Sequence, residues 1–457
     1  MPYQPIVRTD VTDETVTANP RAFDKALVLG QHNFFLERIK FYSSTTEALA
    51  DLPAYSKEYK AVEAAFSVNK ALKSIAVGRR RCASTVLPST PTLGTVYSFK
   101  VVHAGGTEPV TVTATGVDTV STIGGKIVSA IVAITALSTV LTSANVAGLV
   151  TLTQVGSANY KLTEISTTLT AGFVASAEPV TTTMQAIEAV NPRFFAVFST
   201  DRTQVHIEAL RNYIATTGYV MSYSTSNSEV YAGEITPTPS GTDFPATFKL
   251  AGSPYIINPC YVPADQLDSF LELRVFAIRA NAQPGDVIYS NITTTGLPAA
   301  KTSDGLLLTK SQISAIHSRG LSCLEYDNDS GLVVFRRGFS QAVGAAAWAD
   351  EEVIKHFVRA RINEAVTTRF FQTNSNKISG RRPGYIQIQN VIQSVGDAMT
   401  STNTLARAFQ KGTFKVTIPT DDEIKAAVPY RVGAFKVEAK YEGALDSADP
   451  ISVVLSY

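Results

Sequence analysis

Two stretches of alternating strand and helix pattern flank a charge-poor, threonine-rich stretch. A final quarter then mixes long helical repeats with short strands. Together these predict a multidomain protein of mixed α/β and α+β class, an α/β core carrying a β-rich insertion. The chain has 457 residues, and at roughly 150 residues per domain two to four domains are expected. Charged residues make up only 17% of the sequence, against about 25% in ordinary soluble domains. So sparse a charged surface suggests that something else covers much of it, for which another copy of the same chain is one candidate. The net charge of +1 gives no field that would steer the protein to nucleic acid or to an anionic membrane.

The elements follow in order. The first 20 residues read as an extended, Thr/Asp-rich arm, and "MPYQPIVRTDVTDE" has neither the basic start nor the apolar run of a secretion signal,. "KALVLG" (25–30) reads as a buried strand. "AYSKEYKAVEAAFS" (54–67) spaces Tyr55, Tyr59, Val62 and Phe66 as one face of a helix, and "SIAVGRR" (74–80) is a second strand,. Strand, helix and strand in that order form a βαβ unit with a right-handed crossover. From Thr85 to Gln185 only seven residues are charged: Lys100, Glu108, Asp118, Lys126, Lys161, Glu164 and Glu178. "VYSFKVV", "PVTVTAT", "GLVTLTQVG" and "NYKLTEI" are short strands there, and "DTVSTIGGKIVSAIVA" is a helix capped by Asp118 or Ser121,.

The α/β pattern resumes with a strand at 193–200, a helix at 201–217 with Val205, Leu210 and Ile214 among its apolar positions, and a strand at 219–225. A Pro-initiated helix (263–280), a turn at "QPGD", a helix ending at Gly320 and the strand "LVVFRRG" come next,. A long helix at 348–372 has Val353, Phe357, Ile362 and Val366 as inward candidates. The remainder, "GYIQIQNVIQSVGDAM", "GTFKVTI", "DEIKAAV" and two closing strands, is α+β. In the first closing strand Phe435, Val437, Ala439 and Tyr441 alternate with Lys436, Glu438, Lys440 and Glu442, the pattern of a half-buried strand,. The predicted divisions are residues 1–20, a discontinuous core of 21–84 and 186–345, an insertion of 85–185, and a C-terminal part of 346–457.

Candidate chemistry is scarce. Cys82, Cys260 and Cys323 are far apart with no CxxC, so no zinc site is expected,. The odd count permits a disulfide between subunits. His32, His103, His206, His317 and His356 form no HxxxH and read as ordinary surface or helix residues. "HAGGT" (103–107) lacks the GxxxxGK[ST] pattern and reads as a β-turn. "GRRR" (78–81) and "GRRPG" (380–384) read as a solvated strand end and a loop, or as charge patches facing an acidic partner. "DNDSG" (327–331) lacks the downstream glutamate of a calcium loop and reads as an Asx-type turn. The apolar run from Lys126 is short and studded with Ser and Thr, so no membrane span is expected,. No catalytic, cofactor or metal residues are assigned.

Six segments, in order, carry a resemblance. They are "SKEYKAVEAAFSVNKALKSIAVGRR", "VTVTATGVDTVSTIGGKIVSAI", "RFFAVFSTDRTQVHIEAL", "NAQPGDVIYSNITTTGL", "GLSCLEYDNDSGLVVFRRG" and "PYRVGAFKVEAKYEGALDSADPISVVL". The chain resembles contractile phage tail sheath proteins, in the group with a Rossmann-like core interrupted by a β-rich domain. One departure is local: the family commonly has an asparagine–tyrosine pair where this chain reads "CLEY" around Leu324–Tyr326.

The resemblance implies a C-terminal sheath domain with extended terminal arms. It implies stacked hexameric rings around a tail tube that contract to drive the tube through a host envelope. The implied partners are other sheath subunits, the tube protein, and baseplate and tail terminator proteins. No cofactor, nucleic acid, membrane or enzymatic activity is implied. The implied setting is the virion tail, assembled in the host bacterial cytoplasm. In such sheaths terminal arms add strands to sheets of neighbouring subunits. The candidate strand-exchange residues are Ile6 and Val7 in the N-terminal arm and Ile451, Val453, Val454 and Leu455 in the closing strand. Two alternatives stay open: the sheath of a phage-tail-like bacteriocin or secretion system, and an α/β enzyme, which βαβ units alone would allow.

Overall fold

The computed structural model describes residues 23–69, 72–191, 194–282, 284–294, 296–327, 330–343, 347–372, 378–400, 408–426 and 435–441. The chain divides into two compact units. The larger comprises Ala22–Asn281 and Ile288–Glu352; the smaller includes Ala282–Val287 and everything described from Val353 onward.

The larger unit opens with β1 (Ala26–Gln31), buried along nearly its whole length. A strand covered on both faces needs a continuous apolar run, and "ALVLG" supplies one. β2 (Ile39–Tyr42), the short α1 (Thr45–Leu49), α2 (Lys57–Phe66) and β3 (Ile75–Arg80) follow. Ser56 caps α2, its hydroxyl accepting from the Tyr59 amide at 3.1 Å,. β3 lies parallel to β1, which makes the predicted βαβ unit, and β2 pairs antiparallel with the far side of β3.

The chain then leaves the main sheet. β4 (Ser84–Pro88), β5 (Val96–His103), β6 (Gly106–Thr113), α3 (Val120–Ala133), β7 (Leu141–Val146), β8 (Leu149–Gln154), β9 (Tyr160–Thr163) and β10 (Leu169–Phe173) build two small sheets ordered β10-β4-β8-β7 and β6-β5-β9. They have a core of their own. Ile123, Ile127 and Ile131, on one face of α3, pack with Val86, Tyr97, Phe99, Val150 and Leu152,. The cap of α3 is neither expected residue but Thr119, in a reciprocal capping box with Thr122,. Asp118 instead accepts from Thr115 and Thr122 and pairs with Lys126 at 2.6 Å. No helix among the described residues is long and apolar enough to cross a membrane.

α4 (Val180–Val190), β11 (Ala196–Ser199), α5 (Gln204–Ile214), β12 (Val220–Met221), β13 (Ser224–Thr225), α6 (Glu229–Ala232), α7 (Phe244–Ala251), β14 (Ser253–Ile257) and β15 (Cys260–Tyr261) return to the core. α8 (Leu271–Ala280), β16 (Ile292–Thr293), α9 (Lys310–Ser318), β17 (Leu324–Tyr326), β18 (Val333–Phe335) and β19 (Ser340–Gln341) complete the unit. The main sheet runs β19-β14-β12-β11-β1-β3-β2, its five central strands parallel and both edges antiparallel. Leu27 and Leu29 point to the face covered by Met184 and Ile187 of α4 and Ile207 and Leu210 of α5. Gly30 points the other way, to α2, where a Cβ would come within 2.3 Å of the Glu58 carboxylate.

α5 turns His206, Ile207, Leu210 and Ile214 inward and leaves Val205 78% exposed, because 205 is five residues from 210 and falls off that face,. Two expected elements differ. The helix expected at 263–280 breaks: Ala264–Ser269 is a 3₁₀ turn, Phe270 sits in the left-handed region (φ 50°), and α8 starts after it. The strand expected at 219–225 is two short pieces, β12 and β13, in different sheets.

The smaller unit holds most of α10 (Ala349–Gln372), then α11 (Arg382–Thr400), β20 (Lys415–Thr417), α12 (Asp421–Ala426) and β21 (Lys436–Glu438). In α10 Val353 and Phe357 are buried, as expected, while Ile362 and Val366 are half-buried. α11 turns Tyr385, Ile388, Ile392, Gly396 and Met399 inward, and Gln389 and Gln393 reach the carbonyls of Val416 (2.6 Å) and Phe414 (3.1 Å). β20 and β21 form a two-stranded antiparallel ribbon. All three residues of β21 are exposed, and Val437 on the expected apolar face is 38% exposed. The strand predicted there as half-buried keeps Val437 partly exposed, while its partner Val416 in β20 is buried.

Candidate functional site

In an open α/β sheet, ligands collect beyond the carboxyl ends of parallel strands where the strand order reverses. Here that place is the end of β1, because the chain goes from β1 to β3 on one side and returns to β11 on the other. Gln31, Arg80 and Ser199 end these three strands, and Asp201 and His206 approach them from the loop after β11 and the first turn of α5. The group has the composition of a Ser-His-Asp triad. Ser199 Oγ lies 2.9 Å from His206 Nε2, and Asp201 Oδ2 lies 3.7 Å from His206 Nδ1.

The wiring runs against nucleophilic catalysis. Arg80 places a guanidinium nitrogen 3.0 Å from His206 Nδ1. A guanidinium can only donate, so Nδ1 accepts and Nε2 carries the proton. That proton goes to Ser199 Oγ, which also accepts from the Asp201 amide at 3.1 Å and is left to donate to the Leu29 carbonyl at 3.4 Å. A general base must accept the serine proton; this histidine offers one instead. Burial lowers the His206 pKa to about 4, with Arg80 adding to the effect and Asp201 opposing it. Arg80 also holds the Glu178 carbonyl (2.8 Å), while Arg38 grips the Glu178 carboxylate with two bonds of 2.7 and 2.8 Å. The network fastens three strand ends to the segment that returns from the small sheets.

The basic cluster 78–81 is therefore neither a solvated strand end nor a free patch. Arg79 is fully buried and donates to the Leu36 carbonyl, and Arg81 bonds Asn159 and the Ser157 carbonyl. In the second cluster Arg382 pairs with Asp421 at 3.1 Å on the surface. "HAGGT" is the β5–β6 hairpin turn, as read from the sequence. "DNDSG" lies partly outside the described residues, though the Gly331 amide does close a turn on the Asp327 carbonyl at 2.8 Å.

Cys82, Cys260 and Cys323 are all buried and free. Burial pushes the Cys82 thiol up to about 12 and holds the other two well above the usual range. No described thiol is exposed for a disulfide to a neighbour. The strand-exchange candidates Ile6, Val7, Ile451, Val453, Val454 and Leu455 lie outside the described residues.

The structure assembles one group that the sequence spacing hid. His317, in the last turn of α9, and Cys323 and Glu325, at β17, bring their ligand atoms within 4.8 Å of one another. His317 was expected to be an ordinary helix residue, yet its ring lies 3.3 Å from Glu325 Oε1 and edge-on to Phe339. The signal was present as H-x5-C-x-E, a spacing that matches no paired-cysteine motif.

A further feature lies within the smaller unit. α10 and α11 border a groove of about 830 Å³, lined by Phe357, Ala365, Val391, Val395 and Met399 with Arg361 and Glu364 among its polar residues.

No family model matches the chain, and no curated protein matches it. Solved structures do. The helical sheath of the anti-feeding prophage in its contracted state is 11% identical, with all of this chain and 99% of that one covered and a TM-score of 0.49. The baseplate of the same particle in the contracted state is 9% identical, with 100% and 97% covered and a TM-score of 0.48. A sheath tail protein from Listeria innocua is 9% identical, with 93% of each chain covered and a TM-score of 0.45. The likeness is structural and at low identity.

Proposed function

We propose that this chain is a structural subunit of a contractile sheath. It would polymerise as stacked hexameric rings around a tube and contract to drive that tube through a host envelope. The observation that carries the proposal is the order of the six sheath-like segments along the sequence. Two physical features support it. The triad-like group at the strand ends is wired to hold strands together, with the histidine donating to the serine. The β20–β21 ribbon packs on α11 through β20 but leaves Val437 of β21 38% exposed, and an open strand edge can take a further strand.

In this reading the partners are other copies of the chain, a tube protein, and baseplate and terminator proteins. Terminal strands carrying Ile6 and Val7, or Ile451 to Leu455, would cross to neighbours, and the work of contraction would come from better burial between subunits. A phage tail and a phage-tail-like bacteriocin or secretion particle share this physics, and the neighbouring genes distinguish them. The test is negative-stain microscopy of the purified full-length protein. Tubes or striated rods support the proposal. A dispersed monomer in gel filtration that turns over a substrate overturns it in favour of an α/β enzyme.

A further inference from the structure

We propose that His317, Cys323 and Glu325 form a binding site for a zinc-like divalent cation that fastens α9 to the sheet β16-β18-β17. The group is built by local structure. Gly320 adopts φ 65° just after α9, its amide bonding the His317 carbonyl at 2.9 Å. This left-handed cap turns the chain sharply back, and a Cβ there would meet the Ser340 carbonyl at 3.0 Å. Three residues later comes Cys323, immediately before β17, and Cys323 and Glu325, two apart in extended chain, share a face,. That face meets the last turn of the helix.

Three observations point to a missing positive centre. His317 Nε2 and Glu325 Oε1 are both buried, and neither makes a hydrogen bond, although they lie 3.3 Å apart. The other Glu325 oxygen is turned away toward Arg336, at 3.6 Å, so Oε1 stays available. The Cys323 side chain is buried at 1% exposure, with its sulfur within 4.8 Å of both other ligand atoms.

The spacing suits tetrahedral zinc. Bonds of about 2.0–2.1 Å to nitrogen and about 2.0–2.2 Å to oxygen place those two ligands roughly 3.4 Å apart at a tetrahedral angle. The observed separation is 3.3 Å. Sulfur at about 2.3 Å from the metal requires separations of roughly 3.6 Å, so the Cys323 sulfur, now within 4.8 Å of the other two atoms, must close in as the metal binds. An N, S, O donor set favours zinc over magnesium or calcium. Water takes the fourth position, reached past His317 and Glu325, whose side chains are each 13% exposed. As the Zn–S bond forms, the thiol proton leaves to solvent.

The test uses the full-length chain stripped with a chelator and titrated with zinc against a chromophoric competitor, and separately with cobalt(II). We expect one equivalent of zinc and a cobalt spectrum with a thiolate-to-metal charge-transfer band. Cys323→Ser should abolish the band and weaken zinc binding at least tenfold. Cys82→Ser and Cys260→Ser should leave both unchanged, and His317→Asn and Glu325→Gln should each weaken binding at least tenfold. Zinc should raise the melting temperature of the wild type and not that of Cys323→Ser. Should Cys323→Ser fail to fold, the cobalt band of the wild type decides. Its absence, the lack of stoichiometric zinc, or equal zinc affinity in a folded Cys323→Ser protein overturns the proposal in favour of an ion pair beside a buried thiol.

Discussion

His206 shows how burial sets the behaviour of a single residue in this chain. Its pKa falls from an ordinary value near 6.5 to about 4, chiefly through burial. His32, fully buried, falls to about 3 for the same reason, with Arg79 adding to the effect. In the unfolded chain both bind a proton below about 6.5. The stability these residues confer by staying neutral is therefore complete above pH 6.5 and is lost as the pH falls toward their folded values. Glu58 acts in the opposite sense, because burial raises its pKa. The comparison that isolates His206 is His206→Gln, whose amide can still donate to Ser199. Its melting temperature should fall less steeply than that of the wild type between pH 6.5 and 5, and parallel curves would remove the assignment. The thiols give a second prediction. With Cys82, Cys260 and Cys323 buried and free, assembled particles run on a non-reducing gel should give a single monomer band. Thiol labelling should be slow until denaturant is added. A ladder of multimers would show that a thiol becomes accessible in the assembly.

At the scale of elements, two substitutions of structure can be argued from geometry. Gly396 lies on the inward face of α11 against Phe414, where a Cβ would come within 2.0 Å of the ring. Gly396→Ala should therefore destabilise the smaller unit by about 1–3 kcal/mol despite the better helix propensity of alanine. Phe414→Leu in the same chain should restore part of the loss in thermal denaturation. The small sheets give the other. Ser84 and Phe173 face each other in the β4–β10 pair, so the ends of the intervening segment already meet. Replacing residues 85–172 with a short linker should leave a folded core, read by circular dichroism and a cooperative melt. The excision must stop there, because Met184 and Ile187 of α4 belong to the main core. Such elements show what the sequence made legible. "ALVLG", the helix α3 and the stop of α9 at Gly320 were readable because apolar patterning and glycine stops are local. The break at Phe270 was not, since a left-handed phenylalanine follows from packing that no local pattern records. Nor were the strand-end network and the His317 group, whose members meet only through crossovers and a reversed chain.

At the scale of the whole molecule, the question is how a chain with so little charge and an open strand edge persists in water. A ribbon such as β20–β21 gains stability from a third strand, which satisfies an open edge and shields side chains such as Val437. If that strand comes from a neighbouring copy, folding and assembly are separable: each copy folds on its own cores, and only the lattice needs the donated segment. A chain ending at Leu445 lacks "DSADPISVVLSY" and should retain the circular dichroism and melting transition of the full protein while forming no tubes. Val453→Pro should do the same within the full-length chain, because proline removes a ladder donor and fixes φ. Val453→Ile keeps both the donor and the β-branch and should assemble normally. The proline and isoleucine variants separate loss of strand pairing from mere shortening. Microscopy scores the tubes, and circular dichroism confirms that each variant is folded. Normal tubes from the truncated chain and from Val453→Pro would show that the closing strand is not the link between copies, and would leave the N-terminal arm with Ile6 and Val7 as the donor to test.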